Sequence, residues 1–287
     1  MKLVRFGEKG QERPGVKIGE KIVDLSGFVG DYDENFFEKT GIAKLKQIVS
    51  DHLDTLPEVT TCIRLGCPVA RPSKIVCTGL NYKDHAIEMV QDLPAEPVIF
   101  LKSTSAITGP FDEIVIPRGS KKTDWEVELA IVIEKKCSYV SESAALESIA
   151  GFMIHNDVSE REFQLERNGT WGKGKGCDTF APLGPYLVTP DEIADLDKLQ
   201  LWLKLNGTLM QRSSTASMIF KIPYIISYIS QFMTLLPGDI ISTGSPSGVG
   251  KGQNPPFYLK PGDIVELGID GLGESRQKVV SCSEQPL

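Results

Sequence analysis

The sequence DWEVELAIVI, residues 124–133, carries the pattern that decides both the fold and the chemistry of this chain. After Glu128 it is apolar and rich in β-branched residues, which is typical of a buried strand. Because side chains on a strand alternate between its two faces, Glu126 and Glu128 point the same way. Two neighbouring carboxylates at the end of a buried strand repel each other and lose solvation. They need a proton or a cation, and a hard divalent metal ion is the simplest interpretation.

A third acid, Asp157, ends the next strand-like run, GFMIHNDV at residues 151–158. Three carboxylates from two strand ends suit Mg²⁺ and leave positions for substrate and water, and Mn²⁺ or Ca²⁺ would accept the same oxygens. Taken singly, these acids are more simply read as solvated strand ends. Together they predict a metal site formed by Glu126, Glu128 and Asp157. We expect His155 to be a packed, hydrogen-bonded histidine rather than a ligand.

The run GLNYKDHAIE, residues 79–88, contains a histidine and a glutamate three positions apart, His85 and Glu88. On a helix this spacing brings both side chains to one face. Glu88 can then orient the imidazole and raise its basicity, so that His85 takes a proton from water. An isolated pair at this spacing is more commonly an exposed polar helix face.

A glycine-rich run, WGKGKGCDTF at residues 171–180, combines close backbone approach with positive charge from lysines such as Lys175. Its glycine spacing differs from the dinucleotide-binding fingerprint. The later run GVGKG, residues 248–252, is not a phosphate loop, because Ser245 and Gly252 stand where glycine and Ser or Thr are required. On its own the first run could be a mobile surface loop.

The chain divides by pattern into residues 1–70 and residues 73–287, with prolines marking the boundary. The first part predicts two short strands joined by a turn at Gly19 and a helix over residues 36–52. The second part has many short apolar runs between turn residues and few helices, over residues 82–90, 143–149 and 219–232. We therefore expect a β-rich α+β fold, a β-roll or barrel with a small N-terminal α/β domain.

Composition excludes several partners. A net charge of −7 over 287 residues argues against a nucleic-acid partner. No segment predicts a membrane partner, and the start of the chain lacks the apolar core of a signal peptide. We expect a cytoplasmic protein whose six scattered cysteines are free thiols.

Over residues 73–280, motifs in a fixed order resemble the fumarylacetoacetate hydrolase superfamily. Residues 79–88 are similar to its catalytic His/Glu segment, residues 126–128 and 156–159 to its metal ligands, residues 175–185 to its active-site lysine segment, and residues 237–250 to its closing loop. The resemblance implies a mixed β-roll, a divalent metal, a homodimer and a catalytic role for Lys175. It also implies that Arg161, Gln164 and Thr243 contact the substrate.

The same resemblance implies an enzyme that acts on small anionic 2-oxo acids. The opening residues 1–16, with GQERPG at residues 10–15, resemble the branch of acylpyruvases and diketo-deoxy sugar-acid hydrolases. We hypothesise that the chain hydrolyses a C–C bond in a 2,4-dioxo acid, giving pyruvate or a related 2-oxo acid and a carboxylic acid. His85 would activate the water, and residues 91–95 would act as a lid.

Other activities could use the same metal site. They are oxaloacetate decarboxylation, isomerisation or hydration of 2-oxo acids, and ureidoglycolate lysis. The fold could also persist as an inactive metal-binding scaffold. The His85–Glu88 pair argues against the scaffold, because a pure metal binder needs no base that activates water.

Overall fold

The computed structural model describes residues 1–60, 63–90 and 92–282, which form mixed β-sheets with few helices. The strands are β1 Lys2–Phe6, β2 Arg13–Ile18, β3 Lys21–Asp24, β4 Leu65–Gly66, β5 Ile75–Gly79, β6 Val98–Lys102, β7 Ile107–Thr108, β8 Ile114–Ile116, β9 Thr123–Asp124, β10 Val127–Ile133, β11 Ile149–Asn156, β12 Ser159–Glu160, β13 Ala181–Val188, β14 Gln200–Leu205, β15 Thr208–Ser214, β16 Ile240–Ser242, β17 Ile264–Ile269 and β18 Gly273–Ser281. The helices are α1 Glu34–Glu38, α2 Gly41–His52, α3 Lys83–Glu88, α4 Glu142–Ala145, α5 Trp171–Lys175 and α6 Ile222–Ile229.

The larger sheet has the strand order β3-β2-β1-β13-β11-β10-β16-β5-β6. Within it β10 is antiparallel to β11 and β16, while β16 runs parallel to β5. A second sheet, in the order β15-β14-β17-β18-β8, contacts the larger one through β14 against β10. Mixed sheets with few helices confirm the predicted β-rich α+β class.

Strand β10 is the central support of the fold. All seven of its residues are buried, from Val127 to Ile133. Burying one aliphatic side chain of this size stabilises a fold by roughly 1.5–3 kcal/mol, so a strand buried on both faces is strongly held. Its N-terminal end is therefore a rigid place from which to present Glu126 and Glu128.

The N-terminal residues share the larger sheet instead of forming a separate one. Strands β2 and β3 pair as the predicted hairpin around Gly19, and β1 pairs with β13, with Lys2 opposite Val188. The sheet thus crosses the proposed boundary at residues 70–73. The division into two domains stays a prediction.

The prediction of one continuous helix over residues 36–52 is wrong. The structure has α1 and α2 with a corner between them, where Thr40 takes a left-handed backbone conformation with φ of 57°. At Gly41 a Cβ atom would lie 2.3 Å from the carbonyl oxygen of Phe36, so only glycine fits this tight corner. The helical spacing of apolar residues continues across the corner, which explains why the sequence predicted a single helix.

The described cysteines Cys67, Cys77, Cys137 and Cys177 are free thiols, and Cys62 lies outside the described residues. In the described ranges, each helix is too short or too polar to cross a bilayer.

A network around Arg64 ties the turn after β1 to the loop before β8. The guanidinium of Arg64 lies 2.8 Å from Glu12 and makes two bonds to Asp112, at 2.8 and 2.7 Å. Burial opposes ionisation of both acids, but Arg64 outweighs it and holds the pKa of Glu12 and of Asp112 below their usual range. Because the pKa values are lower in the folded chain, this stabilisation is present above the unfolded values of about 4 and is lost as the pH falls through the folded values.

We expect Arg64→Met to lower the free energy of unfolding by about 2 kcal/mol at pH 7, since it removes three charge-assisted bonds to half-buried acids. The deficit should shrink as the pH falls below about 4, where the acids take up protons. Urea denaturation across this pH range measures both effects. Lys21→Met is the control, because its pair with Glu58 is exposed and is worth about 0.5 kcal/mol. A deficit that does not change with pH would contradict the electrostatic explanation.

Candidate active site

The three predicted metal ligands meet because β10 and β11 are antiparallel neighbours. Glu128 lies opposite His155, and the amide of Asp157 donates to the carbonyl oxygen of Glu126 at 2.9 Å. One oxygen from each of the three carboxylates lies within 4.8 Å of the other two, and all three side chains are buried. The residues predicted as one site are therefore adjacent.

Two buried lysines hold Asp157. The ammonium of Lys175 lies 2.5 Å from Glu126 Oε2 and 2.6 Å from Asp157 Oδ2, while that of Lys102 lies 2.5 Å from Asp157 Oδ1. Burial opposes ionisation of Asp157, but the two lysines outweigh it and keep its pKa well below the usual range. Asp157 is therefore an anion already paired with protein cations.

Arg161 completes a neutral network. It donates from Nε to Asp124 at 2.8 Å and from Nη2 to Glu126 Oε1 at 2.6 Å. Burial raises the pKa of Glu126, but Arg161 and then Lys175 outweigh that effect and leave it below the usual value. The network then balances three acids against three bases. Its members are Asp124, Glu126, Asp157, Lys102, Arg161 and Lys175.

Glu128 stands outside this balance. Its Oε2 accepts hydrogen bonds from two neutral donors, the hydroxyl of Ser242 at 2.5 Å and the amide of Gly244 at 3.1 Å. Burial raises its pKa well above the usual range, and the carboxylates of Asp157 and Glu126 raise it further. An ionised Glu128 thus requires one more cation than the network provides.

The residues present fit a hard divalent cation. Three carboxylates offer the oxygen ligands that Mg²⁺ and Mn²⁺ accept. In the described part of the chain, buried polar atoms without a hydrogen-bond partner also border this cluster: Thr78 Oγ1, the Tyr82 hydroxyl and His155 Nε2. Thr78 lines the cleft, and the carboxylate of Glu128 adds to the rise in the pKa of Tyr82 that burial causes. Such atoms need a ligand or a water molecule as partner.

The predicted histidine–glutamate contact is present on α3. His85 Nδ1 lies 3.1 Å from Glu88 Oε2, and Glu88 Oε1 accepts the amide of Gly248 at 2.8 Å. The glutamate therefore fixes the imidazole and also joins α3 to the closing loop. His85 is buried at the cleft wall, and its Nε2 has no hydrogen-bond partner among the described residues. This nitrogen can accept a proton from a molecule in the cleft.

The cleft has a volume of about 60 Å³ and is lined by both charged and apolar side chains. Phe100 lies edge-on to Trp171 with ring centroids 5.1 Å apart, and the ammonium of Lys175 lies 5.1 Å from the Phe100 ring. Cation–π contact of this kind supports a buried ammonium. The apolar lining residues are Leu80, Met89, Phe100, Leu165 and Trp171.

Of the three predicted substrate-contacting residues, two line the cleft and one does not. Arg161 and Gln164 both line the cleft, and Gln164 lies in a single π-helical turn over Glu162–Glu166, a geometry common at functional sites. Thr243 does not line it, because its hydroxyl donates to the carbonyl oxygen of Leu129 at 2.9 Å. Its neighbours Gly244 and Ser245 do. The substrate role of all three stays a prediction.

His155 is packed and hydrogen-bonded, with Nδ1 2.6 Å from the Ser242 hydroxyl. Burial lowers its pKa to about 3, so the ring is neutral at pH 7. The predicted lid starts outside the described residues at position 91, and Asp92, Leu93 and Ala95 are exposed. The lid stays a prediction.

Sequence reasoning missed three side chains of this site. Lys102 pairs with Asp157, Asp124 pairs with Arg161, and Ser242 donates to Glu128. The available signal was slight: Lys102 directly follows the apolar run at residues 98–101. A lysine in that position reads equally well as a solvated strand end.

Comparison with known proteins places the chain in one family. The model for the fumarylacetoacetate (FAA) hydrolase C-terminal domain matches residues 74–280. A Burkholderia cenocepacia relative, whose name proposes a hydrolase without a substrate, is 50% identical over 279 residues, covering 96% of this chain and 98% of the relative.

Two solved structures share the whole fold. Maleylpyruvate hydrolase from Sphingobium sp. SYK-6, solved with manganese(II) and pyruvate, has a TM-score of 0.83 at 30% identity and covers 99% of this chain and 100% of its own. The 2-hydroxyhepta-2,4-diene-1,7-dioate isomerase from Mycobacterium marinum has a TM-score of 0.76 at 33% identity, with the same coverage. Both hydrolases and isomerases are therefore similar to this chain.

We expect Mn²⁺ to bind one site per chain and to raise the melting temperature, because it supplies a positive charge to pair with the carboxylate of Glu128. Glu128→Gln should weaken Mn²⁺ at least about tenfold, as it removes one of three anionic ligands. Isothermal titration calorimetry measures the affinity. Glu134→Gln is the matched control, since Glu134 follows the same strand at its other end. Equal affinity in the Glu128→Gln variant and the wild type would rule out Glu128 as a ligand.

Proposed function

The chain belongs to the fumarylacetoacetate hydrolase family, and we propose that it is a divalent-metal-dependent hydrolase of 2,4-dioxo acids. The substrate would be an acylpyruvate or a diketo-deoxy sugar acid, and the products pyruvate or a related 2-oxo acid and a carboxylic acid. The observation that carries this proposal is His85, which lines the cleft while Glu88 holds its Nδ1 at 3.1 Å and no described residue is bonded to its Nε2.

The anionic 2-oxo end of the substrate belongs near the carboxylate cluster. A bound Mg²⁺ or Mn²⁺ on Glu126, Glu128 and Asp157 would supply Lewis-acid stabilisation for the enolate of pyruvate. Lys175 adds a fixed positive charge there, since Glu126 and Asp157 outweigh the effect of burial and keep its pKa above the usual value. Preorganised charge at a developing anion is usually the largest catalytic contribution.

The base acts at the other end of the bond. His85 Nε2 takes a proton from water, and the water oxygen attacks the carbonyl carbon of the acyl group. The bond between that carbon and the methylene group breaks, and the electron pair moves to the pyruvate enolate. The imidazolium then returns its proton to the methylene carbon. Glu88 keeps the ring oriented throughout by holding its Nδ1.

Isomerisation or decarboxylation would need the enolate-stabilising site but no attacking water. A base that lines the cleft supports hydrolysis over decarboxylation, in which no proton is taken from water, and release of a carboxylic acid distinguishes hydrolysis from isomerisation. We also propose that the enzyme works in the cytoplasm, which suits its free thiols.

We expect the wild type with Mg²⁺ or Mn²⁺ to release pyruvate and one equivalent of carboxylic acid from an acylpyruvate, and a chelator to abolish this. His85→Ala should lower kcat by at least about a hundredfold and leave Mn²⁺ affinity unchanged, because it removes the base but no ligand. His52→Ala is the control, since His52 is exposed at the end of α2. Coupled pyruvate detection and calorimetry measure the two effects.

Two outcomes would overturn this proposal. Release of pyruvate from oxaloacetate alone would indicate a decarboxylase. A His85→Ala enzyme that remains fully active would remove His85 as the base.

We further propose a homodimer. The aromatic rings of Phe220, Tyr224, Tyr228 and Phe232 contact one another in sequence along α6 and beyond both of its ends, and Phe232 is 64% exposed. A second copy would cover this apolar surface. Light scattering after size exclusion should give twice the 31.5 kDa chain mass, and the single-chain mass would contradict the dimer.

A further inference from the structure

We propose that Lys251 binds a second carboxylate of the substrate, so that the preferred substrate is a 2-oxo acid with an anionic group at its far end. This inference rests on the proposed function for its metal-bound end. It assigns Lys251 as a specificity residue in a subsite distinct from the carboxylate cluster.

Lys251 differs from the other cations of the cleft in that its ammonium has no hydrogen bond or ion pair to the residues that the structure describes. Arg161 is bonded to Asp124, Gln164 and Glu126, and Lys175 bridges two acids. Among the described residues that line the cleft, only Lys251 offers a side-chain ammonium without a hydrogen bond or ion pair. It is the positive charge that remains for a ligand.

The backbone of Lys251 is held in place. Asp124 accepts the amide of Gly250 at 2.6 Å and that of Lys251 at 3.0 Å, and the same carboxylate accepts Nε of Arg161 at 2.8 Å. A Cβ atom at Gly250 would lie 2.2 Å from the carbonyl oxygen of Phe257, and one at Gly252 would lie 2.3 Å from Cδ of Glu88. Lys251 therefore projects from a fixed position between two closely packed glycines.

The surroundings of Lys251 favour an anion. The side chain is half-buried, and burial and then the charge of Arg161 lower its pKa. The carboxylates of Asp124, Glu166 and Glu126 raise its pKa, but they do not outweigh that effect, and none of them lies within ion-pair distance of the ammonium. A half-buried ammonium without a counter-ion is destabilised, and a carboxylate offsets that cost. A neutral acyl group would leave it unpaired.

The rest of the cleft suits the middle of such a molecule. Apolar side chains, among them Met89, Leu165 and Trp171, line it together with the charged residues. A short hydrocarbon segment can pack there while charges pair at its two ends. The chemical class is thus a dianionic 2-oxo acid with a carboxylate separated from the 2-oxo group by a few carbons.

Matched ligands test this without turnover. In the presence of Mn²⁺, calorimetry compares 2-oxoglutarate with 2-oxopentanoate, and 2-oxoadipate with 2-oxohexanoate, because each pair differs only by carboxylate against methyl. We expect at least one dicarboxylate to bind about tenfold or more tightly than its methyl partner, as one charge-assisted bond allows. Lys251→Met should remove that preference while leaving the methyl-ended acids and Mn²⁺ unchanged.

Two further variants sharpen the test. Lys251→Arg keeps the charge and should keep the preference, whereas Lys251→Gln should lose it even if the methionine variant folds poorly. Lys135→Met, an exposed lysine, is the control. Absence of a preference in the wild type, absence of 2-oxo acid binding, or a Lys251→Met variant that retains the preference would each overturn the proposal. A failure to detect hydrolysis would not by itself overturn the proposal, because the test measures the binding of these ligands and not their cleavage.

Discussion

One uncompensated buried carboxylate organises this structure. Asp124, Glu126 and Asp157 are paired with Lys102, Arg161 and Lys175, so their charges cancel inside the protein. Glu128 receives only a hydroxyl and an amide. Burying an unpaired charge is costly, which raises the pKa of Glu128, and an added cation would stabilise its ionised form. The site is thus built to need one additional positive charge beside two carboxylates that are already ionised.

The fold makes this arrangement possible by supporting it from both sides. Strand β10 is buried along its whole length, and its pairing with β11 sets the acids at one end. The last residue of β16 and the loop after it supply the donors to Glu128, and the same loop supplies the amide that holds Glu88. The base and the acids are therefore connected through one loop. Displacing that loop would disturb both halves of the reaction at once.

Part of this site could be predicted from sequence for a simple reason. Glu126 and Glu128 are two apart on a strand, and His85 and Glu88 are three apart on a helix, so local geometry fixes each pair. Lys102 and Lys251 come from distant segments, and only the folded sheet and loop bring them to the cleft. The corner at Thr40 could not be predicted for a related reason, because the spacing of apolar residues does not reveal a single residue with a left-handed backbone conformation. The β-rich class was predictable from the alternation of short apolar runs with turns.

The central claim is that a divalent cation occupies the three-carboxylate site and satisfies Glu128. Anomalous diffraction from crystals grown with Mn²⁺ tests it most directly. We expect one strong peak within about 2.5 Å of oxygens from Glu126, Glu128 and Asp157. A peak elsewhere, or a site in which Lys175 alone bridges Glu126 and Asp157 at saturating Mn²⁺, would contradict it.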